Sequence, residues 1–206
     1  MSNIVIKNIL VGELYTNCYL CKNKTTGEGF IVDPGDDALK ISAHISSMEM
    51  KPVAILLTHG HYDHVGAVDE LKSRYGIKVL VAEKEKPLLS DRRMNLSKYF
   101  GYSMTTDADE FLTDGQMLTV AGIEMKFILT PGHTPGSGCF YLKDEGVLFS
   151  GDTMFHASRG RTDFPGGSDV EIIRSIREKL LVLPSETEVF PGHESSTTIG
   201  DERIYY

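Results

Sequence analysis

Four residues able to bind a metal ion, His59, His61, Asp63 and His64, fall within six consecutive positions of the stretch Leu56-Leu-Thr-His-Gly-His-Tyr-Asp-His-Val-Gly66. Imidazole and carboxylate ligands suit zinc, and iron or manganese as well. The spacing matters as much as the types. The apolar run Val53 to Leu57 reads as a buried strand leading in. From Asp63 onward, Val65, Val68, Leu71 and Tyr75 recur at helical spacing, so a helix is expected to start there. His59 and His61, two apart in extended backbone, project to the same side. Asp63 and His64 sit at the helix start, where free N–H groups favour an ionised carboxylate. A strand end feeding a helix start thus gathers four donors round one small volume, which points to a metal site.

Three further candidates lie downstream. His133 follows Leu129-Thr-Pro-Gly, His193 follows Phe190-Pro-Gly, and Asp152 follows Ser150-Gly. Each ends an expected strand at a glycine turn, and the repeated strand, Pro-Gly, His pattern suggests both imidazoles at the same sheet edge, with Asp152 again directly after a strand. His44 and His156 lack this context and read as ordinary residues.

The bulk properties restrict the function class. The 206 residues suffice for one sizeable domain, taken here as 1–206. A 41% hydrophobic and 24% charged composition is that of a soluble globular chain. A net charge of −8 argues against nucleic acid as a partner. Apolar runs such as Val53 to Leu57 are too short to span a bilayer, and the N-terminus shows no cleavable signal pattern, so no membrane partner and a cytoplasmic location are expected. Cys18, Cys21 and Cys139 fit a reducing compartment. The Cys18-Tyr-Leu-Cys21 pair reads as structural, because in a strand residues three apart face opposite sides.

The elements that must position the candidates come in runs. Strands are expected over Ile4–Val11, Cys18–Lys22 and Gly29–Val32, followed by a helix from Ala38 to Met48 that Pro52 stops. Ile77–Val81 reads as a strand and Glu83–Leu89 as a short helix. Ser90 to Asp109 has no clean period. It is either a binding loop or lid, or a surface connection. Hairpins follow at Met117–Val120 with Glu124–Leu129, and at Gly138–Leu142 with Val147–Phe149. Ser168 to Leu183 is an amphipathic helix with Ser168 and Glu171 as a capping box and Ile172, Ile173, Ile176, Leu180 and Leu183 as its apolar stripe. Glu188–Phe190 is a last strand. The order suggests two packed sheets with helices outside. A faint echo relates Gly29–Asp33 to Gly146–Asp152, and Ile55–His59 to Phe127–Pro131.

This set, His-x-His-x-Asp-His at 59 to 64 with Gly-His at 132–133, Gly-Asp at 151–152 and Gly-His at 192–193, resembles the metallo-β-lactamase superfamily over nearly the whole chain. Within it the chain is similar to short glyoxalase II-type (hydroxyacylglutathione hydrolase-like) thioester hydrolases. Gly160-Arg-Thr-Asp-Phe164 is typical of that branch and of its persulfide dioxygenase relatives. The resemblance implies an α/β fold, a four-layer αβ/βα sandwich of two mixed sheets flanked by helices. It implies two divalent metal ions, zinc foremost, with His59, His61 and His133 at one, Asp63, His64 and His193 at the second, and Asp152 bridging. Two metals sharing a water would lower its pKa towards neutrality and provide the hydroxide that attacks an acyl thioester. Asp63 would both ligate metal and hold that nucleophile, which makes it the candidate catalytic residue.

Arg161 is the candidate for gripping an anionic substrate group, the alternative being that it pairs with Asp163 and orders its loop. Arg159, Tyr99 and Tyr102 are weaker candidates of the same kind. Glyoxalase II proper carries a C-terminal helical domain that grips glutathione, whereas only Glu194 to Tyr206 follow His193 here. The chemistry is therefore expected to carry over more safely than the glutathione specificity. The expected partner is a small-molecule thioester, and the pattern specifies no oligomeric state. The rival readings are a mononuclear iron persulfide dioxygenase using His59, His133 and Asp152, and a lactonase. A nuclease is set aside for the acidic balance, and a β-lactamase for want of an export signal.

Overall fold

A computed structural model describes residues 3–206. Two six-stranded sheets pack face to face. The first runs in chain order through β1 (Ile4–Val11), β2 (Thr16–Asn23), β3 (Glu28–Val32), β4 (Lys51–Leu56), β5 (Lys78–Ala82) and β6 (Glu110–Leu112). Its first three strands are antiparallel, and β3 to β6 are parallel. The second holds β7 (Met117–Val120), β8 (Ile123–Leu129), β9 (Gly138–Leu142), β10 (Val147–Gly151), β11 (Glu188–Pro191) and β12 (Thr197–Thr198). It is antiparallel except where β10 meets β11. Helices α1 (Ala38–Ser47), α2 (Tyr62–Val65), α3 (Val68–Tyr75) and α4 (Lys86–Ser90) belong to the first half of the chain, and α5 (Asp169–Ser175) and α6 (Ile199–Glu202) to the second.

Strand alternation sorts the core into three layers. Tyr19, Phe30, Leu56, Phe127, Phe140 and Phe149 fill the space between the sheets. Ile31, Ile55 and Val79 point the other way and meet Ile41, Ile45, Val68 and Leu71 from α1 and α3. Leu148 and Val189 of the second sheet meet Ile172, Ile176 and Leu180. The four-layer α/β/β/α order expected from the sequence is the one found. Cys18 lies in the helix-side layer and Cys21 between the sheets, so the pair faces opposite ways as expected. Burial raises both thiols well above their ordinary range, and pushes Cys139 up to about 11.

Several expectations need correction. Pro52 does not lie outside β4 but within it, opposite Gly29, at a bulge that lets the ladder do without its missing N–H. What ends α1 is Glu49, in the left-handed region at φ 48°. The helix expected from Asp63 onward is two helices, because the Pro34-Gly35 turn wedges between them and Ala67 N–H donates to Pro34 O at 2.9 Å. Ser168 does cap α5, accepting from Glu171 N at 3.3 Å, but the helix widens into a π turn over Ile176–Leu180. The echo holds for its first pair only. β3–α1–β4 and β10–α5–β11 are both parallel crossovers, whereas β8 is antiparallel and is no counterpart of β4.

Candidate metal centre

The loops leaving β4, β8, β10 and β11 converge on one opening. His59 and His61 follow β4, His133 follows β8, Asp152 follows β10, and His193 follows β11. Asp63 and His64 stand on α2, whose N-cap is His61. All seven residues singled out from the sequence therefore meet, and they form overlapping sets. The ligand atoms of His59, His61 and His133 lie within 4.8 Å of one another, as do those of Asp63, His64 and His193, and those of His59, His64 and Asp152.

Geometry within the sets suits cations. His61 Nδ1 is 3.1 Å from His59 Nε2 and 2.9 Å from His133 Nε2. Nitrogens at ~2.0–2.1 Å from a tetrahedral ion would stand about 3.3 Å apart, so a slight opening would seat one. Asp152 faces both halves. Its Oδ1 is 3.5 Å from His64 Nε2, and its Oδ2 is 3.5 Å from His133 Nε2 and 3.7 Å from His193 Nε2. Asp63 Oδ2 lies 3.3 Å from His193 Nε2 and 3.5 Å from His64 Nε2. His64 Nε2 and Asp152 Oδ1 are buried with no hydrogen-bond partner. Orphaned buried polar atoms of this kind are costly unless an ion completes them.

The titration behaviour divides the same way. Burial, then the neighbouring imidazoles, holds His59 and His61 well below the ordinary histidine range, so both are neutral ligands at neutral pH. For His64 burial opposes charge, but the carboxylates of Asp63, Asp152 and Asp33 outweigh it and raise the group to about 10. His193 is raised too, burial being overcome by Asp63 and Asp152. Burial would lift the Asp63 carboxyl, but His64 and His193 pull it well below the usual range. Without an ion, a proton on His64 offsets the carboxylates.

The supporting residues were not singled out from the sequence. Asp33, fully buried at the end of β3, accepts from Thr58 N at 2.8 Å and Thr58 Oγ1 at 2.6 Å, and from His64 Nδ1 at 3.0 Å. Thr58 Oγ1 in turn stands 3.2 Å from His59 Nδ1. One carboxylate thus fixes an N–H at Nδ1 of a histidine in each half, so that Nε2 is the atom each directs at an ion, His64 giving up its second proton when one binds. Its φ of 48° is a left-handed conformation that aspartate tolerates. Thr16 Oγ1 donates to Asp63 Oδ2 at 3.2 Å. Asn17 and Tyr19 of the same strand hold the His193 loop through Pro191 O, at 3.0 and 2.6 Å. Glu85, fully buried, ties the His59–His61 loop to the His133 loop, accepting from Gly60 N at 2.6 Å, Thr134 Oγ1 at 2.7 Å and Gly136 N at 2.8 Å. Gly192 has no room for a side chain, since a Cβ there would collide with Asp152 Oδ1 and His64 Cε1.

A family model, the metallo-beta-lactamase superfamily, matches residues 11–193, a span that holds all seven candidates. The chain belongs to that superfamily. Among curated relatives of this metallo-hydrolase superfamily, a Bacillus subtilis protein described as probable metallo-hydrolase YqgX is 37% identical over 94% of this chain and 92% of its own. Hydroxyacylglutathione hydrolase GloC of Haemophilus influenzae is 36% identical over 84% of this chain and 83% of its own. Among solved structures, BLEG-1 B3 metallo-beta-lactamase is 41% identical with a TM-score of 0.93, covering 97% of each chain. TTHA1623, solved in a di-iron-bound form, is 34% identical with a TM-score of 0.86, covering 96% of each.

Of the remaining sequence candidates, Arg159 and Arg161 line the opening and Tyr99 and Tyr102 do not. The Arg161 carbonyl accepts from His133 Nδ1 at 2.7 Å, so this residue positions a candidate ligand through its backbone. Its guanidinium pairs with both Asp163 oxygens at 2.7 Å, the loop-ordering alternative. Arg159 pairs with Asp169 at 2.8 Å. The 90–109 segment docks against α2. Tyr62 N–H donates to Asn95 O at 2.9 Å, and its ring stacks on Phe100 and Tyr102 with centroids at 4.9 and 5.6 Å. Tyr99 is exposed. No helix among the described residues is long and apolar enough to cross a membrane.

Proposed function

We propose that this protein is a two-metal hydrolase of acyl thioesters, of the hydroxyacylglutathione hydrolase type. The observation that carries the reading is Asp152, placed between two complete histidine-containing sets that share one mouth. GloC supports the thioester class, and the di-iron form of TTHA1623 supports a two-ion site. Zinc is the first choice of ion by ligand type, with iron next.

His59, His61 and His133 would hold one ion, Asp63, His64 and His193 the other, and Asp152 both. Ions so held supply a water acidified towards neutral pH and an electrophile for the acyl oxygen. The chain's own residues do the rest. Asp63, ionised and anchored by Thr16, accepts a hydrogen bond from the attacking water and orients its lone pair. Burial of His59, His61 and His64 keeps bulk water from competing with the ligands. A thiolate leaves readily, so no strong general acid is required.

The test is thiol release from a panel of acyl thioesters by protein loaded with two equivalents of zinc or iron. Turnover supports the reading, and no turnover across the panel refutes it. A single iron per chain with oxygen uptake on a persulfide would point to the dioxygenase alternative, and turnover of lactones alone to the lactonase. Similarity to BLEG-1 favours a second reading, β-lactam hydrolysis, in which the same water would attack a cyclic amide. A β-lactam in the same panel separates the two.

A further inference from the structure

Phenyl rings wall the opening of the metal centre. Phe155 stands edge-on to His193 with centroids 6.2 Å apart, and Phe164 edge-on to His61 at 5.8 Å. Phe100 stacks on Tyr62, the residue between His61 and Asp63. With Leu14 and Leu96 they enclose a cavity of about 550 Å³. The two cations on this wall each have a carboxylate partner, in exposed ion pairs. The Arg161 guanidinium is held by Asp163 and lies over the Phe164 ring at 4.1 Å, and Arg159 is held by Asp169. Glu194, an acidic residue, is also on the wall.

A second groove, about 810 Å³, leaves the same mouth and shares Leu14, His193 and Glu194 with the first. Beyond His193 and Glu194 at the mouth, its exposed polar groups are the neutral amide and hydroxyls of Asn8, Ser195 and Ser196, between Leu10 and Tyr15, the buried Asn17 amide being spent on Pro191 O and Glu194 O. Among the described residues, neither lysine nor arginine lines it. A charged carboxylate moved onto such a surface gives up hydration without gaining a cation. An apolar chain moved into the phenyl-walled cavity gains about three- to fourfold in binding per buried methylene.

We infer that the substrate is a thioester with an apolar acyl group, seated among Phe100, Phe155 and Phe164, and with an uncharged, amide-bearing thiol arm in the groove beyond His193. The inference rests on the thioesterase reading, keeps its chemistry, and replaces the hydroxyacyl group and glutathione as the preferred acyl and thiol parts. Water oxygen bonds to the acyl carbon, the C–S bond breaks, and the thiolate takes up a proton from that water, giving a carboxylic acid and a free thiol. The chemistry needs no oxidant or further reactant.

Four compounds test it on the zinc-loaded protein: hexanoyl and lactoyl groups, each on N-acetylcysteamine and on glutathione. Expected is a kcat/KM at least tenfold higher for hexanoyl than for lactoyl, and at least tenfold higher for N-acetylcysteamine than for glutathione. S-lactoylglutathione as the best of the four, or four equal values, overturns the inference and leaves the thioesterase reading standing. Turnover of none overturns both. Phe100→Ala, a change at a half-exposed ring, is expected to narrow the hexanoyl-to-lactoyl ratio at least fivefold. An unchanged ratio in that variant places the acyl group elsewhere and overturns the seat proposed here.

Discussion

Asp33→Asn is the change most informative about how the centre is held. The Asp33 carboxylate oxygens accept, so Thr58 Oγ1–H and His64 Nδ1–H both point at them, and His59 Nδ1–H points at Thr58 Oγ1. An asparagine keeps the acceptor for Thr58 N but presents an NH2 donor to Thr58 Oγ1 and His64 Nδ1. His64 then relieves the donor–donor clash by moving its proton to Nε2, the atom aimed at the candidate ion. The hydroxyl of Thr58 turns likewise, which loosens His59. Loss of such an outer partner weakens metal binding about 10- to 100-fold, or about 1.4 to 2.7 kcal/mol. The assay is competition for zinc against a chromophoric chelator, with circular dichroism to check that the fold persists. The weakening is expected chiefly at the weaker of two binding steps. A folded variant with wild-type affinity at both steps would show that Asp33 does not set the histidine tautomers.

Other outcomes follow from the same geometry. A cation entering among Asp63, His64 and His193 must displace the His64 proton, whose pKa is raised to about 10. Affinity of that set, read by chelator competition, is therefore expected to climb up to tenfold per pH unit from pH 7 towards 10, whereas the His59–His61–His133 set, with His59 and His61 already neutral, changes little. Because the folded-state pKa of His64 lies above its ordinary 6.5, its stabilisation of the ion-free protein is complete below that value and is lost as pH rises through about 10, so the chelated protein should melt at lower temperature at pH 10 than at pH 7. Gly192→Ala puts a Cβ against Asp152 and His64, and is expected to abolish binding of at least one ion while the protein still folds, measured by elemental analysis. Glu85→Gln replaces one of two acceptor oxygens by an NH2 that faces a backbone N–H donor in a fully buried site, at a cost of about 1–3 kcal/mol, and a Tm drop of about 2–4 °C per kcal/mol would register it in a thermal melt.

What was legible in the sequence was local. His59 to His64 are neighbours in the chain, and His133, Asp152 and His193 each carry their own marker, a strand ending in a glycine turn. The supports were hidden because their partners are far away in sequence. Thr16 meets Asp63 across 47 residues, Glu85 meets Gly136 across 51, and Asp33 meets His64 across 31. Asp33 alone had a readable signal, since it ends the segment that echoes Asp152 and occupies the equivalent place in a parallel crossover. The break between α2 and α3 depends on the Pro34-Gly35 turn, which no periodicity from Asp63 onward could show. Likewise β12 has two residues and α6 four, too few for a repeat, and both pass unmarked in the pattern after His193. Arg161 shows the same limit from the other side. The pairing of its side chain with Asp163 could be anticipated from proximity, but the use of its carbonyl by His133 could not.

Stepwise zinc titration of the chelated protein, with thiol release from hexanoyl-N-acetylcysteamine followed at each addition, bears most directly on the proposed centre. Activity is expected to rise steeply only as the second equivalent binds and to level off at two per chain. A plateau at one equivalent, or turnover indifferent to the ion, would mean that His59, His61, Asp63, His64, His133, Asp152 and His193 do not act together as a two-metal hydrolytic site.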